Sequence, residues 1–173
     1  MTRFIILLRG INVSGKNKLP MQDLRELLDG LGYLNVQTYI QSGNIILDTD
    51  EKKVEVIIKI QAGIKKKFNY DVPVIIKTVS ELRNAIAAYP FPTENPKIVA
   101  FVFLNQQTTE VEIDVKEIHG DEYQIDNDMV YIYCLTGFAR TKLSNNLFER
   151  KLNITATTRN YNTTLKLLVL ATA

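Results

Sequence analysis

The sequence predicts an α+β protein made of two similar halves, each a small sheet backed by helices. Three observations carry that expectation. Phe4–Leu8 and Ile98–Leu104 are apolar at every position, as strands buried on both faces are. Helix-periodic and strand-like runs follow one another in the order β-α-β-β-α-β, the ferredoxin-like or α-β plait arrangement. The order then repeats after Tyr89–Pro96, a stretch rich in proline.

The elements follow in sequence. Phe4–Leu8 is the first strand, and a polar loop runs from Arg9 to Leu19. Pro20 suits a first helical turn, and Leu24, Leu27, Leu28 and Leu31 share one helical face before Gly32 ends the helix. Val36–Ile40 and Ile45–Asp48 form a hairpin about Gln41-Ser42-Gly43-Asn44. From Glu51 to Phe68, Val54, Ile57, Ile58, Gln61, Ile64 and Phe68 recur with helical period, and Val72–Ile76 is the next strand. Ser80–Ala88 reads as an extra helix capped by Ser80.

In the second half, Ile98–Leu104 is the first strand and Thr108–His119 fills the first-helix slot, although it is rich in β-branched residues. Tyr123–Asp126 and Met129–Cys134 pair around Asn127-Asp128. Ser144–Leu152 is a helix, Ile154–Thr158 a strand, and Asn162–Ala171 a terminal helix. The expected organisation is an N-terminal subdomain over 1–78, a helix and linker over 79–96, a C-terminal subdomain over 97–158 and a closing helix over 159–173. Because the two leading strands need cover on both faces, the halves are expected to pack as one compact body, with an extra helix after each.

Composition narrows the functional classes. With 173 residues, 46% hydrophobic and 23% charged, the chain is of ordinary globular make-up. A net charge of +2 does not by itself call for nucleic acid or an anionic membrane. No run approaches the ~18 apolar residues of a membrane span, and Phe4–Leu8 is too short for a signal-peptide core. A cytoplasmic location is expected. Cys134 has no cysteine partner, closes an apolar run and reads as a buried structural thiol. With one cysteine and one histidine, neither a metal site nor a cofactor is expected.

Several polar segments stand out. Gly10-Ile11-Asn12-Val13-Ser14-Gly15-Lys16-Asn17 has the spacing of a phosphate-binding loop, but Asn17 replaces the hydroxyl that would hold magnesium. A hairpin also follows where nucleotide hydrolases have parallel strands, leaving an anion-binding loop or a structural turn. Ser42 and Asn44 in the hairpin turn serve the backbone or a ligand. Thr157–Thr163 places Arg159, Asn160 and Asn162 before a helix, where free N–H groups attract anions, and either asparagine can cap that helix. Arg140-Thr141-Lys142 precedes another helix. Phe101, Phe103, Tyr131 and Tyr133 sit where RNA-recognition modules stack bases, yet the surrounding pattern is absent and core packing is the better account. The Lys52–Lys67 face reads as solvated, and His119 as a helix-end residue.

Four segments together resemble one bacterial family. They are Leu7–Met21, Tyr39–Asn44, Thr141-Lys142-Leu143 and Thr158–Thr163, and in this order and spacing they are similar to domain of unknown function 1697. The resemblance runs nearly end to end and implies two ferredoxin-like subdomains with no settled activity and no established catalytic residue. Ser14, Thr141 and Tyr161 stand where that family commonly has glycine, serine and tryptophan.

The expected function is binding of a nucleotide or small phosphorylated ligand in a basic cleft between the subdomains. Arg9, Lys16, Lys142 and Arg159 would line it, with Asn12, Asn17, Ser42, Asn44, Asn160 and Asn162 as hydrogen-bonding partners. The alternatives are an RNA- or DNA-binding protein, or an interaction protein without a small ligand. No carboxylate pair falls inside the polar motifs, so the sequence designates no general base.

Overall fold

All 173 residues are described by a computed structural model. The order is β1 (Thr2–Leu8), α1 (Met21–Gly30), β2 (Leu34–Tyr39), β3 (Asn44–Thr49), α2 (Lys53–Phe68), β4 (Val74–Thr78) and α3 (Val79–Ala87). There follow β5 (Val99–Leu104), β6 (Glu122–Asp126), β7 (Met129–Tyr133), α4 (Asn145–Leu152), β8 (Ala156–Asn160) and α5 (Tyr161–Thr172). The fold is α+β, with two four-stranded antiparallel sheets of order β2-β3-β1-β4 and β6-β7-β5-β8. The chain divides into one unit of Met1–Arg83 with Leu167–Ala173, and another of Asn84–Lys166. No helix is long and apolar enough to cross a membrane.

In the first unit, Phe4, Ile6, Leu8, Ile45, Leu47, Val74 and Ile76 share the sheet face that packs with Leu24 and Leu28 of α1 and Val56, Ile60 and Ile64 of α2. The residues between them alternate to the opposite face, where Ile5 pairs with Ile46 and Lys77, and Leu7 with Asn44 and Ile75. All of these are buried, including the charged Lys77. Arg3 grips Asp48 across the β1–β3 pair through two 2.8 Å bonds. Ion pairs of Lys53 with Glu81, Lys59 with Glu51 and Lys65 with Asp71 engage part of the lysine-rich face of α2.

The second unit follows the same logic. Ala100, Val102, Leu104, Val130, Ile132 and Ala156 face Leu147 and Phe148 of α4. Val99, Phe101, Phe103, Met129 and Tyr131 alternate to the other face and are buried as well. Tyr89 and Phe91, from the proline-rich stretch, join this second group: the Tyr89 ring lies 5.2 Å from Phe101, and its hydroxyl donates to the Ile132 carbonyl at 2.8 Å.

Two expectations need correcting. Thr108–His119 is not a helix but an irregular extended strap, so the second half lacks the first helix of the β-α-β-β-α-β order. Val111, Ile113 and Val115 alternate with Glu112 and Asp114, a period of two that suits extended backbone, and β-branched residues disfavour the helix. The Tyr123 hydroxyl pins the strap, accepting from the Ile113 N–H at 3.0 Å and donating to its carbonyl at 3.2 Å. The second correction concerns Ser80, which does not cap α3. Thr78 does, since its hydroxyl accepts from the Glu81 N–H at 3.1 Å while the Glu81 carboxylate accepts from the Thr78 N–H at 2.8 Å.

One glycine holds the first hairpin against β1. Gly43 has φ +84°, its carbonyl accepts from the Leu8 N–H at 2.8 Å, and an added Cβ would meet Leu8 Cβ at 2.7 Å and Ile11 Cδ1 at 2.8 Å. Gly43→Ala is therefore expected to destabilise the protein by about 1–3 kcal/mol, read as a lowered urea midpoint. An unchanged midpoint would show that the turn relaxes freely.

Candidate functional site

Two groups of polar residues emerge, one in each unit. In the first, the loop after β1 closes on itself through bonds from the Asn12 N–H to the Asn17 carbonyl at 3.1 Å and from the Lys16 N–H to the Val13 carbonyl at 2.9 Å. Positive φ at Gly10, Asn12, Ser14, Gly15 and Asn17 gives the loop its tight path, which asparagine and glycine tolerate best. The Asn12 side chain donates to the carbonyls of Leu19 and Gln41 at 2.9 and 2.8 Å and accepts from the Leu19 N–H at 2.8 Å. Asn17 donates to the Gly10 carbonyl at 3.0 Å, and Asn44 to the Tyr39 carbonyl and the Ser42 hydroxyl at 3.0 and 2.8 Å. Arg9 is half-buried, whereas Lys16 stands exposed at the tip of the loop.

In the second unit, Arg159 is 7% exposed, and its guanidinium folds back along β8 to donate to the Thr157 hydroxyl at 2.8 Å and the Thr158 carbonyl at 3.0 Å. Asn160 caps α5, accepting from the Thr163 N–H at 2.9 Å, while Asn162 is exposed on the first turn. Phe101, Phe103 and Tyr131 are buried, and burial pushes the Tyr131 phenol up to about 12, so these rings offer no open surface for stacking bases.

Lys142 has different surroundings. It lines a groove of about 370 Å3 formed by Asp114, Val115 and Lys116 of the strap together with Ser144, Asn146, Leu147, Arg150 and Lys151. Four cations and one carboxylate thus surround the groove. Ser144 caps α4 beside it, accepting from the Leu147 N–H at 3.2 Å. Lys142 also lines a neighbouring cavity of about 430 Å3, with Glu117, His119, Asp121, Thr136 and Arg140. Its ammonium bonds the Lys116 carbonyl and the Glu117 carboxylate, each at 3.3 Å. Arg159 lines neither space.

Asp121 shapes the loop that carries Arg140 and Lys142. It is 3% exposed and accepts from the Thr136 N–H at 2.9 Å and from the Thr136 and Thr141 hydroxyls at 2.7 Å each. Burial alone would raise its carboxyl, but these three donors outweigh burial and hold it below the ordinary carboxylate value. Burial pushes the Cys134 thiol up to about 11, which keeps it protonated at neutral pH. No three histidine, cysteine, aspartate or glutamate side chains are grouped to hold a metal ion.

Sequence reasoning singled out Lys142 and Arg140-Thr141 but missed Asp121, Lys116, Arg150 and Lys151. Arg150 and Lys151 sit in the last turn of α4, where basic residues are ordinary dipole partners. Asp121 follows Gly120 like any turn aspartate. Only the three-dimensional approach of strap and helix gives Lys116, Arg150 and Lys151 a common space, while Asp121 lines the cavity next to it.

Comparison with known proteins adds family and fold. A family model described as Protein of unknown function (DUF1697) matches residues 1–131. The solved structure of conserved bacterial protein SP0830 from Streptococcus pneumoniae matches with TM-score 0.70 and 22% identity, covering 98% of each chain. No curated protein matches.

The depressed Asp121 value sets a direction for stability against pH. Its contribution is complete above the ordinary carboxylate range of about 3.9 and is lost as pH falls through the lower folded value. Asp121→Asn should cost about 2 kcal/mol at neutral pH, a difference that shrinks on acidification. Thr141→Ser should retain stability and Thr141→Val should not. Urea titrations of the three variants at pH 7, with Asp121→Asn repeated at pH 3, check this, and an Asp121→Asn deficit independent of pH would contradict it.

Proposed function

Since the chain belongs to the family described as Protein of unknown function (DUF1697), we propose from its own geometry that it binds a nucleotide or other small phosphorylated ligand. The observation that carries this is the α4 groove, which Lys116, Lys142, Arg150 and Lys151 line with Asp114 as its one carboxylate, while Lys142 also pairs with Glu117 at 3.3 Å. Such a space suits a dianionic group, because clustered cations bind phosphate better than they tolerate one another. Its volume of about 370 Å3 falls within the range of small-molecule sites. The proposal is one of binding, and no residue is assigned a catalytic role.

The same proposal gives parts to the other expected contacts. Asn12, Asn17, Asn44 and Asn160 act as framework, since their side-chain amides close loops and cap α5. Lys16 and Asn162, both exposed, are available to a ligand, and Arg9, Ser42 and Arg159 border those loops. We read each unit as a ferredoxin-like (α-β plait) subdomain. Complete β-α-β-β-α-β order in the first and an equivalent strand order in the second support it.

Calorimetric titration with inorganic phosphate and with a nucleotide tests the proposal. Lys142→Ala and Arg150→Ala are each expected to weaken binding about tenfold, the loss of one charge-assisted contact, with Lys16→Ala a control of small effect. A large loss in Lys16→Ala alone would move the site to the N-terminal loop. Binding insensitive to all three substitutions would end the proposal.

A further inference from the structure

We propose that the cavity beside the α4 groove receives the hydroxyl-bearing part of the ligand, so that the natural ligand is a phosphate ester of a sugar or polyol. This rests on the anion-binding reading of the groove. The two spaces adjoin at Lys142, which lines both, yet their chemistry differs. The groove is cationic, whereas the cavity is lined by charges of both signs, Glu117 and Asp121 with Arg140 and Lys142, together with His119, Thr136 and the apolar Ile118 and Leu135. A second phosphate would meet the exposed Glu117 carboxylate there, and a hydrocarbon would strip water from the charged groups of Glu117, Arg140 and Lys142. A hydroxyl both donates and accepts, so it can satisfy a wall of mixed sign.

Within this cavity the free acceptor is Glu117. Asp121 already takes three donors, while one Glu117 oxygen bonds Lys142 and the carboxylate is 75% exposed. The strap that carries Glu117 is fixed in place before any ligand arrives. Glu117, His119 and Gly120 have φ of +58°, +51° and +90°, and the Asp121 N–H donates to the Ile118 carbonyl at 2.9 Å to close the turn. Left-handed backbone at two residues with side chains is costly and persists only where the surroundings enforce it. Here Tyr123 pins the strap upstream, and Lys142 holds the Lys116 carbonyl. One lysine therefore links the phosphate position to the hydroxyl position.

The test compares inorganic phosphate, ribose 5-phosphate and free ribose by calorimetry on the full chain. Wild type is expected to bind ribose 5-phosphate about tenfold more tightly than phosphate, the worth of one hydroxyl bonded to a carboxylate, and ribose negligibly. Glu117→Ala should leave phosphate binding equal or tighter, since Lys142 loses a competing carboxylate, while the preference for the sugar ester falls below about threefold. Glu117→Gln, which keeps an acceptor of weaker charge, should fall between the two and serves if the alanine variant is unstable. Equal affinity for phosphate and ribose 5-phosphate in wild type, or a preference that survives both Glu117 substitutions, overturns the inference and leaves the anion site standing. Absence of any Lys142-dependent phosphate binding overturns the anion site, and this inference with it.

Discussion

Burial of β1 and β5 on both faces is the constraint on which the rest of the architecture depends. Every residue from Phe4 to Leu8 and from Val99 to Leu104 is buried, so neither sheet can leave its central strand to water on one side. Each face must meet its own cover, and in each unit one face meets helices. The opposite faces are not purely apolar. Asn44, Asp48 and Lys77 occur on the first and Thr157 and Arg159 on the second. Buried charge is tolerated only with partners, as the Arg3–Asp48 pair and the Arg159 contacts to Thr157 and Thr158 illustrate. With the central strands closed to solvent, accessible polar chemistry falls to strand ends, connecting loops and the exposed flanks of helices such as α4.

In those loops, similar residue types do two kinds of work. Asn12 makes three hydrogen bonds to the backbone of its own loop and of the neighbouring hairpin, so removing it would leave the partly buried Leu19 groups unmatched. Lys142 makes two longer contacts at 3.3 Å from a half-exposed position, and such contacts add little to stability. A group held weakly in the free protein can be redirected to a ligand at small cost. That difference in commitment separates framework from site more clearly than residue identity does.

Much of the fold could be read from the sequence because its signals were local. The apolar runs Phe4–Leu8 and Ile98–Leu104, the leucine face of α1 and the Gly43 turn each specify their element without distant information. Two local signals were overridden. Ser80 is a common capping residue type, but the capping box Thr78-Val79-Ser80-Glu81 places the cap two residues earlier. Val111, Ile113 and Val115 alternate as an extended segment does, and the expectation of a repeated helix prevailed over that period. The candidate site was far less legible, because Lys116, Lys142 and Arg150 lie on three segments that meet only after the strap and α4 are in place.

The strap is also the physical origin of the groove. In the first unit, α1 and α2 pack side by side on the sheet, close enough that a Cβ at Gly63 would lie 3.3 Å from both Leu27 and Leu31. The strap takes the chain position of α1 in the second unit, between its first and second strands, and α4 takes that of α2. An extended chain is thinner than a helix and brings fewer side chains to the sheet, here Ile113 and Val115. It therefore cannot fill the volume beside α4 that a helix would occupy. What remains is a space walled by the polar flank of α4 and the charged side chains of the strap, in a protein whose other unit has closed the equivalent position with leucine. Replacing a helix by a strap thus leaves an open groove beside α4, and Lys116, Lys142, Arg150 and Lys151 border it together with Val115 and Leu147.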